Sequence, residues 1–466
     1  MASEMVAVTS GPPRVLGRPR GDAATRAFDD HHPPDPALIA DCVHCGFCLP
    51  ACPTYLLWGE EMDSPRGRIL LMDLAARGQV GMEQEVVQHW DACLGCMACV
   101  DACPSGVQYN RLVEQVRPQV ERRFARGWRN RASRAALFAV LPHPRRMRAV
   151  ASAVAFTQAL GLRKALRMRH LQRLVPKTLR RLNDMAPSLR FAVRSTQAPR
   201  HLTPVGRRAL QVAMLTGCVQ DAFFAHVNRA TARVLAAHGC EVLVPPAQSC
   251  CGALELHSGR ERPALQRMRD LIAQMEALDV DHIVVNTAGC GSAMKEYGAL
   301  LADDPFWAAR AASFSARVRD VMELIADLEV QLPFRLHALS ARVAYHDACH
   351  LVHAQGVRLQ PRSVLGRIPD LELVDLRESD VCCGSAGIYN LVAPQAADDL
   401  GNRKAAHVVA SGAELLAAGN GGCLLQIQAG LRRAGHPLPV VHPVELLDAS
   451  IRGLPVTQVL GGSRRR

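Results

Sequence analysis

The chain has 466 residues, 49% of them apolar, with 55 Lys plus Arg against 43 Asp plus Glu and 17 cysteines. That length supplies core for two to four domains and excludes disorder throughout. No stretch of about 18 uninterrupted apolar residues is present, which argues against a transmembrane helix.

Residues 1–34 mix Pro, Gly and charged residues without an apolar run, so they lack the h-region of a secretory signal and are expected to form a flexible tail. The cysteines are then expected in a reducing cytoplasm. There a cysteine-rich chain binds metal more often than it builds a disulfide framework.

Cys42, Cys45, Cys48 and Cys52 form C-x2-C-x2-C-x3-C before Pro53, and Cys93, Cys96, Cys99 and Cys103 repeat the pattern before Pro104. This is the run of bacterial two-cluster ferredoxins. Three thiolates on one tight loop cap three irons of a cubane, and the fourth Cys of each run ligates the other cluster. Cys42, Cys45, Cys48 and Cys103 are therefore assigned to one [4Fe-4S] centre, and Cys93, Cys96, Cys99 and Cys52 to a second. Paired zinc sites are the competing reading, but zinc needs neither the third Cys nor the Cys-Pro ending. Helix-like apolar spacing in Ile69 to Ala76 and Met82 to Trp90 predicts an α-helical ferredoxin domain over residues 35–115, not the compact β type.

The net charge of +12 is uneven, because residues 111–210 hold 24 Arg plus Lys and only Glu114, Glu121 and Asp184 as acids. That segment is +21 and free of cysteine, and the remainder is −9. Basic-faced helices are expected over Ala135 to Leu141, Met147 to Leu162 and Leu166 to Leu182, broken at Pro142, Pro144 and Pro176. Residues 116–208 thus read as a basic helical connector, whose charge either meets solvent or docks on anionic lipid or an acidic partner. No helix-turn-helix, zinc-finger or aromatic RNA-binding signature accompanies it, so no nucleic-acid partner is expected.

Cys218, Cys250, Cys251 and Cys290 reappear as Cys349, Cys382, Cys383 and Cys423, displaced by 131, 132, 132 and 133 residues. Strand-like runs Val212 to Leu215 and Val343 to Tyr345 lead into the first Cys of each unit, and Ile283 to Val285 leads into Cys290. The counterpart before Cys423 is Ala-rich and less clear. A repeat this long reads as a duplicated α/β domain, residues 209–338 and 339–455, followed by a flexible tail at 456–466. Gly252 and Gly384 follow the Cys pairs and let the backbone approach a bulky ligand. One iron-sulfur site per repeat is expected at the carboxyl ends of the strands, with a vicinal redox disulfide as the competitor. Cys240 has no counterpart and reads as a small buried hydrophobe. His346, His350 and His353 surround Cys349, where they are weighed as ligands against packing or orienting residues.

No G-x-G-x-x-G after a strand, Walker A sequence or C-x-x-C-H is present, so no flavin or nicotinamide site and no catalytic residue is recognised. An electron carrier without its own hydride acceptor needs a partner.

The segments CVHCGFC (42–48), CPTY (52–55), SPRGRI (64–69), CPSGV (103–107), CCGALELH (250–257), GCG (289–291), KEYG (295–298) and CCGSAGIYN (382–390) together resemble the iron-sulfur subunit of bacterial glycolate oxidase, over residues 35–450. The resemblance implies FAD-binding partner subunits that oxidise glycolate to glyoxylate while this chain passes electrons towards quinone. It also implies a cytoplasmic protein held peripherally on the inner face of the cytoplasmic membrane. D-lactate or another 2-hydroxy acid is the alternative substrate, and a Cys-Cys-Gly disulfide or quinone reductase the alternative function. The paired C-terminal units also resemble the Cys-Cys-Gly domains of heterodisulfide reductase, which can hold non-cubane clusters. There the last Cys opens a C-x-x-C pair, whereas here Ala293 and Gln426 stand three places on. A fifth thiolate is absent from each repeat.

Overall fold

A computed structural model gives the fold of residues 11–13, 15–161, 183, 185–187, 197–328 and 334–459. Helix α1 (Pro36–Ala40) precedes the first cysteine loop, α2 (Pro53–Trp58) starts directly after Cys52, and α3 (Pro65–Ala76) is capped by Ser64, whose Oγ accepts from Gly67 N at 3.0 Å. Proline opens each of them because the first helical N–H has no intrahelical acceptor to lose. Helix α4 (Gln84–Ala92) delivers the chain to Cys93, α5 (Ala98–Asp101) carries Cys99, and α6 (Tyr109–Arg123) closes the bundle. Met72, Trp90, Leu112 and Val116 form its core. The two helical runs read from the sequence lie within or overlap α3 and α4.

The expectation of a free tail over residues 1–34 is corrected for its described part. Strand β1 (Gly17–Pro19) pairs antiparallel with β2 (Phe124–Arg126), with Gly17 opposite Arg126. A Cβ at Gly17 would lie 2.3 Å from the Phe124 ring, so this close pairing requires glycine. Ala23, Ala27 and Phe28 are buried, and Arg122 forks Asp29 at 2.8 and 2.9 Å. Phe28 packs on Trp90 with ring centroids 5.8 Å apart, and these apolar residues come no more than two in a row among polar ones, which is why no run betrayed them. The boundary expected at 115/116 likewise falls inside α6, and β2 follows directly.

In the connector, α7 (Trp128–Val140) and α8 (Pro144–Ala159) are found, each starting earlier than expected; the helix expected over Leu166 to Leu182 lies outside the described residues. Several of the arginines are tied to acids of other segments. Arg126 pairs with Asp91 and Glu121, Arg134 donates to Glu121 at 2.9 Å and to the Ser258 carbonyl at 3.0 Å, and Arg148 lies 3.4 Å from Asp221. This part of the basic excess therefore joins the ferredoxin-like domain to the first repeat.

Both repeats share one strand order. In the first sheet β5 (Cys240–Leu243), β4 (Leu210–Met214), β6 (His282–Val285) and β7 (Val318–Asp320) run parallel, with β3 (His201–Leu202) added antiparallel on β5. In the second, β9 (Leu371–Val374), β8 (Ala341–His346), β10 (Leu415–Ala418) and β11 (Val440–Val441) are parallel in the corresponding order. The Ala-rich run is thus a real strand, fully buried between β8 and β11. Val212, Met214 and Val284 of the first repeat share a core with Val343, Tyr345 and Leu416 of the second. Cys240 is buried in that core, where burial pushes its thiol up to about 12.

His442 pins the repeats together: its Nδ1 accepts from Val444 N at 3.2 Å, capping the helix Pro443–Ile451, and its Nε2 donates to the Asn286 carbonyl at 3.0 Å. Burial holds the imidazole down at about 3. Because an unfolded histidine titrates near ~6.5, this contribution is complete above that pH and is lost as pH falls towards 3, by about 2 kcal/mol at pH 5. Urea denaturation at pH 7 and pH 5 is expected to show that loss. His442→Asn, which keeps a capping oxygen, is expected to lower stability at pH 7 and flatten the dependence.

Candidate iron-sulfur centres

Positive φ at His44 (53°) and Gly46 (88°) curls the first loop so that Cys42, Cys45 and Cys48 line one hollow, which Cys103 enters from the far end of the second run. Arg66 fixes the loop by donating to the His44 carbonyl at 3.0 Å and to Glu61 at 2.6 Å. Burial pushes the Cys42 and Cys48 thiols up; at Cys42 the sulfurs of Cys103 and Cys45 add to it. Cys45 itself is exposed.

The second loop turns through Gly95 (φ 66°) and Met97 (φ 65°) and is wholly buried. Cys52 lies beside Cys96 and Cys99, so each fourth cysteine approaches the other run's triplet. Burial pushes Cys96 and Cys99 well up, reinforced by neighbouring sulfurs. Cys93 departs from this: burial opposes its ionisation, but Arg68, Arg117, the Tyr109 hydroxyl at 3.6 Å and the Gly95 N–H at 3.3 Å hold it below the usual thiol range. Such donors favour thiolate, the form that binds metal.

Arg68 is the residue that sequence reading passed over. It is 1% exposed, donates to the His89 carbonyl at 2.6 Å and to Thr54 Oγ1 at 3.1 Å, and sits 3.3 Å from the buried Asp63 and 3.9 Å from Cys52 Sγ. It supplies the buried positive charge that a set of thiolates needs. Only its place in the S-P-R-G-R-I segment hinted at a role.

In the first repeat Cys218 opens the helix after β4, its Sγ lies 3.5 Å from that of Cys250, and Cys251 bridges Cys250 to Cys290. Tyr297 holds the pair by donating to the Cys251 carbonyl at 2.6 Å. In the second, Cys382 contacts Cys349 and Cys383, and Cys383 contacts Cys423. All these cysteines are free thiols. The glycines after the pairs answer to backbone packing: Gly252 (φ 76°) and Gly384 (φ 85°) would bring a Cβ within 3.0 and 2.7 Å of the Ala264 and Ala397 carbonyls. Each repeat thus gathers four sulfurs in a chain of contacts, Cys218–Cys250–Cys251–Cys290 and Cys349–Cys382–Cys383–Cys423. That donor set suits an iron-sulfur group, and the cations beside it, Arg267 near Cys250 and Lys404 near Cys383, are fewer than four thiolates.

The second loop and the second repeat meet. The sulfurs of Cys96 and Cys349 are electrostatic neighbours, and both lie in one apolar cluster with Leu57, Leu94, Cys382 and Tyr389. His350 Nε2 donates to the Gly95 carbonyl at 2.8 Å, while Asp101 accepts from His353 at 2.9 Å and Arg358 at 3.1 Å. Gln355 donates to the Ala288 carbonyl at 3.0 Å, joining the loop of Cys290 to that of Cys349.

Residues 39–107 match the 4Fe-4S dicluster domain family, residues 212–295 and 343–428 the cysteine-rich domain family, and residues 129–186 the linker region of the glycolate oxidase iron-sulfur subunit. The probable glycolate oxidase iron-sulfur subunit of Bacillus subtilis is 38% identical over 418 residues, 89% of this chain and 94% of that protein. The chain belongs to the glycolate oxidase iron-sulfur subunit family. The Escherichia coli glycolate oxidase iron-sulfur subunit is 33% identical over 89% of this chain and 95% of its own length. Lactate utilization protein A of an Exiguobacterium species is 30% identical over 52% of this chain and 98% of that protein. Family membership makes iron-sulfur clusters the cofactors and the chain a subunit of an oxidoreductase. Among the described residues no helix is long and apolar enough to cross a membrane.

Replacing Arg68 by Met leaves Asp63 buried without its cation. A loss of about 3–5 kcal/mol in chemical denaturation of the anaerobically purified protein is expected.

Proposed function

We propose that this chain carries electrons, one at a time, to a quinone from an FAD-bearing partner that oxidises glycolate to glyoxylate. The observation that carries the reading is the electrostatic closeness of the Cys96 and Cys349 sulfurs in one shared apolar cluster, which supports the buried ferredoxin-like loop and the second repeat as consecutive stations. Bound clusters supply one-electron transfer without bond making. We assign Cys42, Cys45, Cys48 and Cys103 to one centre, Cys93, Cys96, Cys99 and Cys52 to the next, and four cysteines of each repeat to further centres. Val43 and Phe47 are exposed beside Cys45, which supports entry of electrons there from the partner.

A cleft beside Cys93 supports the quinone end. Leu94, Ile388, Val392 and Ala393 give it an apolar wall; Tyr389 OH, His257 Nε2, Arg117 Nη1 and Asn130 Oδ1 are buried without hydrogen-bond partners at its lining. A quinone ring needs such a slot, with donors to its two carbonyl oxygens. Two electrons from the chain and two protons convert it to the quinol. His257 Nδ1 is 2.8 Å from Glu114, whose ionised form is held against burial by His257 and Arg117. That carboxylate orients the imidazole towards the cleft. Peripheral attachment to the membrane, which would bring quinone within reach, is proposed for the basic connector; Arg163, Lys164, Arg167 and Arg169 lie outside the described residues.

Protein purified anaerobically is expected to contain about eight irons in the ferredoxin-like domain and more from loaded repeats; zinc without a reducible EPR signal overturns the relay. With the co-purifying flavoprotein, glycolate is expected to reduce the clusters faster than D-lactate. Tyr389→Phe and His257→Gln are each expected to lower quinone-dependent turnover about tenfold, the worth of one hydrogen bond of ~1.4 kcal/mol, while reduction of an artificial dye is unchanged. Equal loss with both acceptors removes the cleft from the reading.

A further inference from the structure

Among the positions where the two repeats differ next to their sulfurs, one is fully buried in both. Three residues before its first Cys, the first repeat has Leu215, which joins the apolar core; the second has His346, fully buried at the end of β8. His346 Nδ1 lies 2.8 Å from the Ser379 carbonyl. A carbonyl only accepts, so Nδ1 carries a proton, and in the neutral ring the lone pair is on Nε2. The same carbonyl also accepts from Asp347 N at 3.1 Å and Lys404 Nζ at 3.4 Å, which fixes its position. Nε2 has no hydrogen-bond partner, and a ring nitrogen of His346, Cys383 Sγ and Cys423 Sγ all lie within 4.8 Å of one another. With Nδ1 held by the carbonyl, Nε2 is the nitrogen left for the sulfurs. A ring whose far nitrogen is held by a carbonyl is the arrangement found for metal-ligating histidines.

The other two histidines near Cys349 are engaged elsewhere. His350 gives its Nε2 to the Gly95 carbonyl, and its ring meets His257 edge-on at 5.1 Å between centroids. Both nitrogens of His353 are taken, by Asp101 at 2.9 Å and the Asp380 carbonyl at 3.2 Å.

We propose that the second repeat binds its iron-sulfur group through Cys349, Cys382, Cys383, Cys423 and a fifth donor, His346 Nε2, whereas the first repeat has thiolates alone. This rests on reading the repeats as iron-sulfur sites. The imidazole occupies the role of the fifth ligand that neither Ala293 nor Gln426 can fill. A neutral nitrogen donor adds no negative charge, so the second centre has a higher reduction potential than the same centre with a fifth thiolate.

The test uses the full chain, purified anaerobically with histidine labelled by 15N, and pulsed EPR on samples poised across the redox range. A nitrogen hyperfine coupling that switches from the 14N to the 15N pattern in the wild type, and vanishes in His346→Leu, is expected. That variant installs the residue the first repeat already carries, and unchanged ferredoxin-type signals report that it has folded. His346→Cys is expected to keep the iron content and lower the midpoint potential of this centre. Iron in the repeats with no nitrogen coupling, or coupling that survives His346→Leu, overturns the fifth ligand alone. Iron confined to the ferredoxin-like domain overturns the iron-sulfur reading of the repeats and the proposal with it.

Discussion

Sulfur crowded away from water is the constraint on which this structure depends. A buried thiol resists ionisation, and several within contact of one another resist it further, yet metal binding requires the ionised form. The fold meets this locally with fixed donors and cations: Arg68, Arg117 and the Tyr109 hydroxyl at Cys93, and the contacts that hold Cys250 and Cys383 low. Asp63 in turn keeps Arg68 in place, with His89 at 3.1 Å on the same carboxylate. The remaining charge is left for the metal to balance, so cofactor and fold stabilise one another.

The second constraint is proximity between stations built on different domains. Helix α6 anchors the ferredoxin-like domain to the first repeat through Glu114 with His257 and Asn110 with Glu296, while Gly95 and Asp101 anchor it to the second through His350 and His353. These contacts span 2.8 to 3.4 Å, and three of the four are partly buried. They set the spacing of the sulfurs more firmly than the surface ion pairs of the connector, which contribute little individually.

What was legible in the sequence was what is encoded locally. Ligand spacing on a loop is a matter of a few residues, so both cysteine runs and the duplicated Cys-Cys-Gly units could be read directly, and the residues themselves carried the family. Alternation of strand and helix gave the α/β character of the repeats. Less visible was anything built from single residues far apart: Ala23, Ala27 and Phe28 sealing the bundle, the acids that partner the connector arginines, and the meeting of Cys96 with Cys349. Leu415–Ala418 was obscure for another reason, since alanine carries little strand preference. The glycines after the Cys pairs were noticed with an incomplete cause, because the crowding comes from carbonyls of distant helices.

The pairing of β1 with β2 links Gly17 to Arg126 and encloses both cysteine runs between them. Cys52 and Cys103 cross between the runs inside that closed stretch. The domain is therefore topologically a single loop. A chain growing from a ribosome cannot give Cys52 its neighbours of the second run until Cys99 has emerged, cannot bring Cys103 to the first loop until later still, and cannot fasten the ribbon until residue 126 has followed. Maturation of this module is set by its slowest, longest-range contact, and an incomplete chain presents open thiols to the cell until that contact is made.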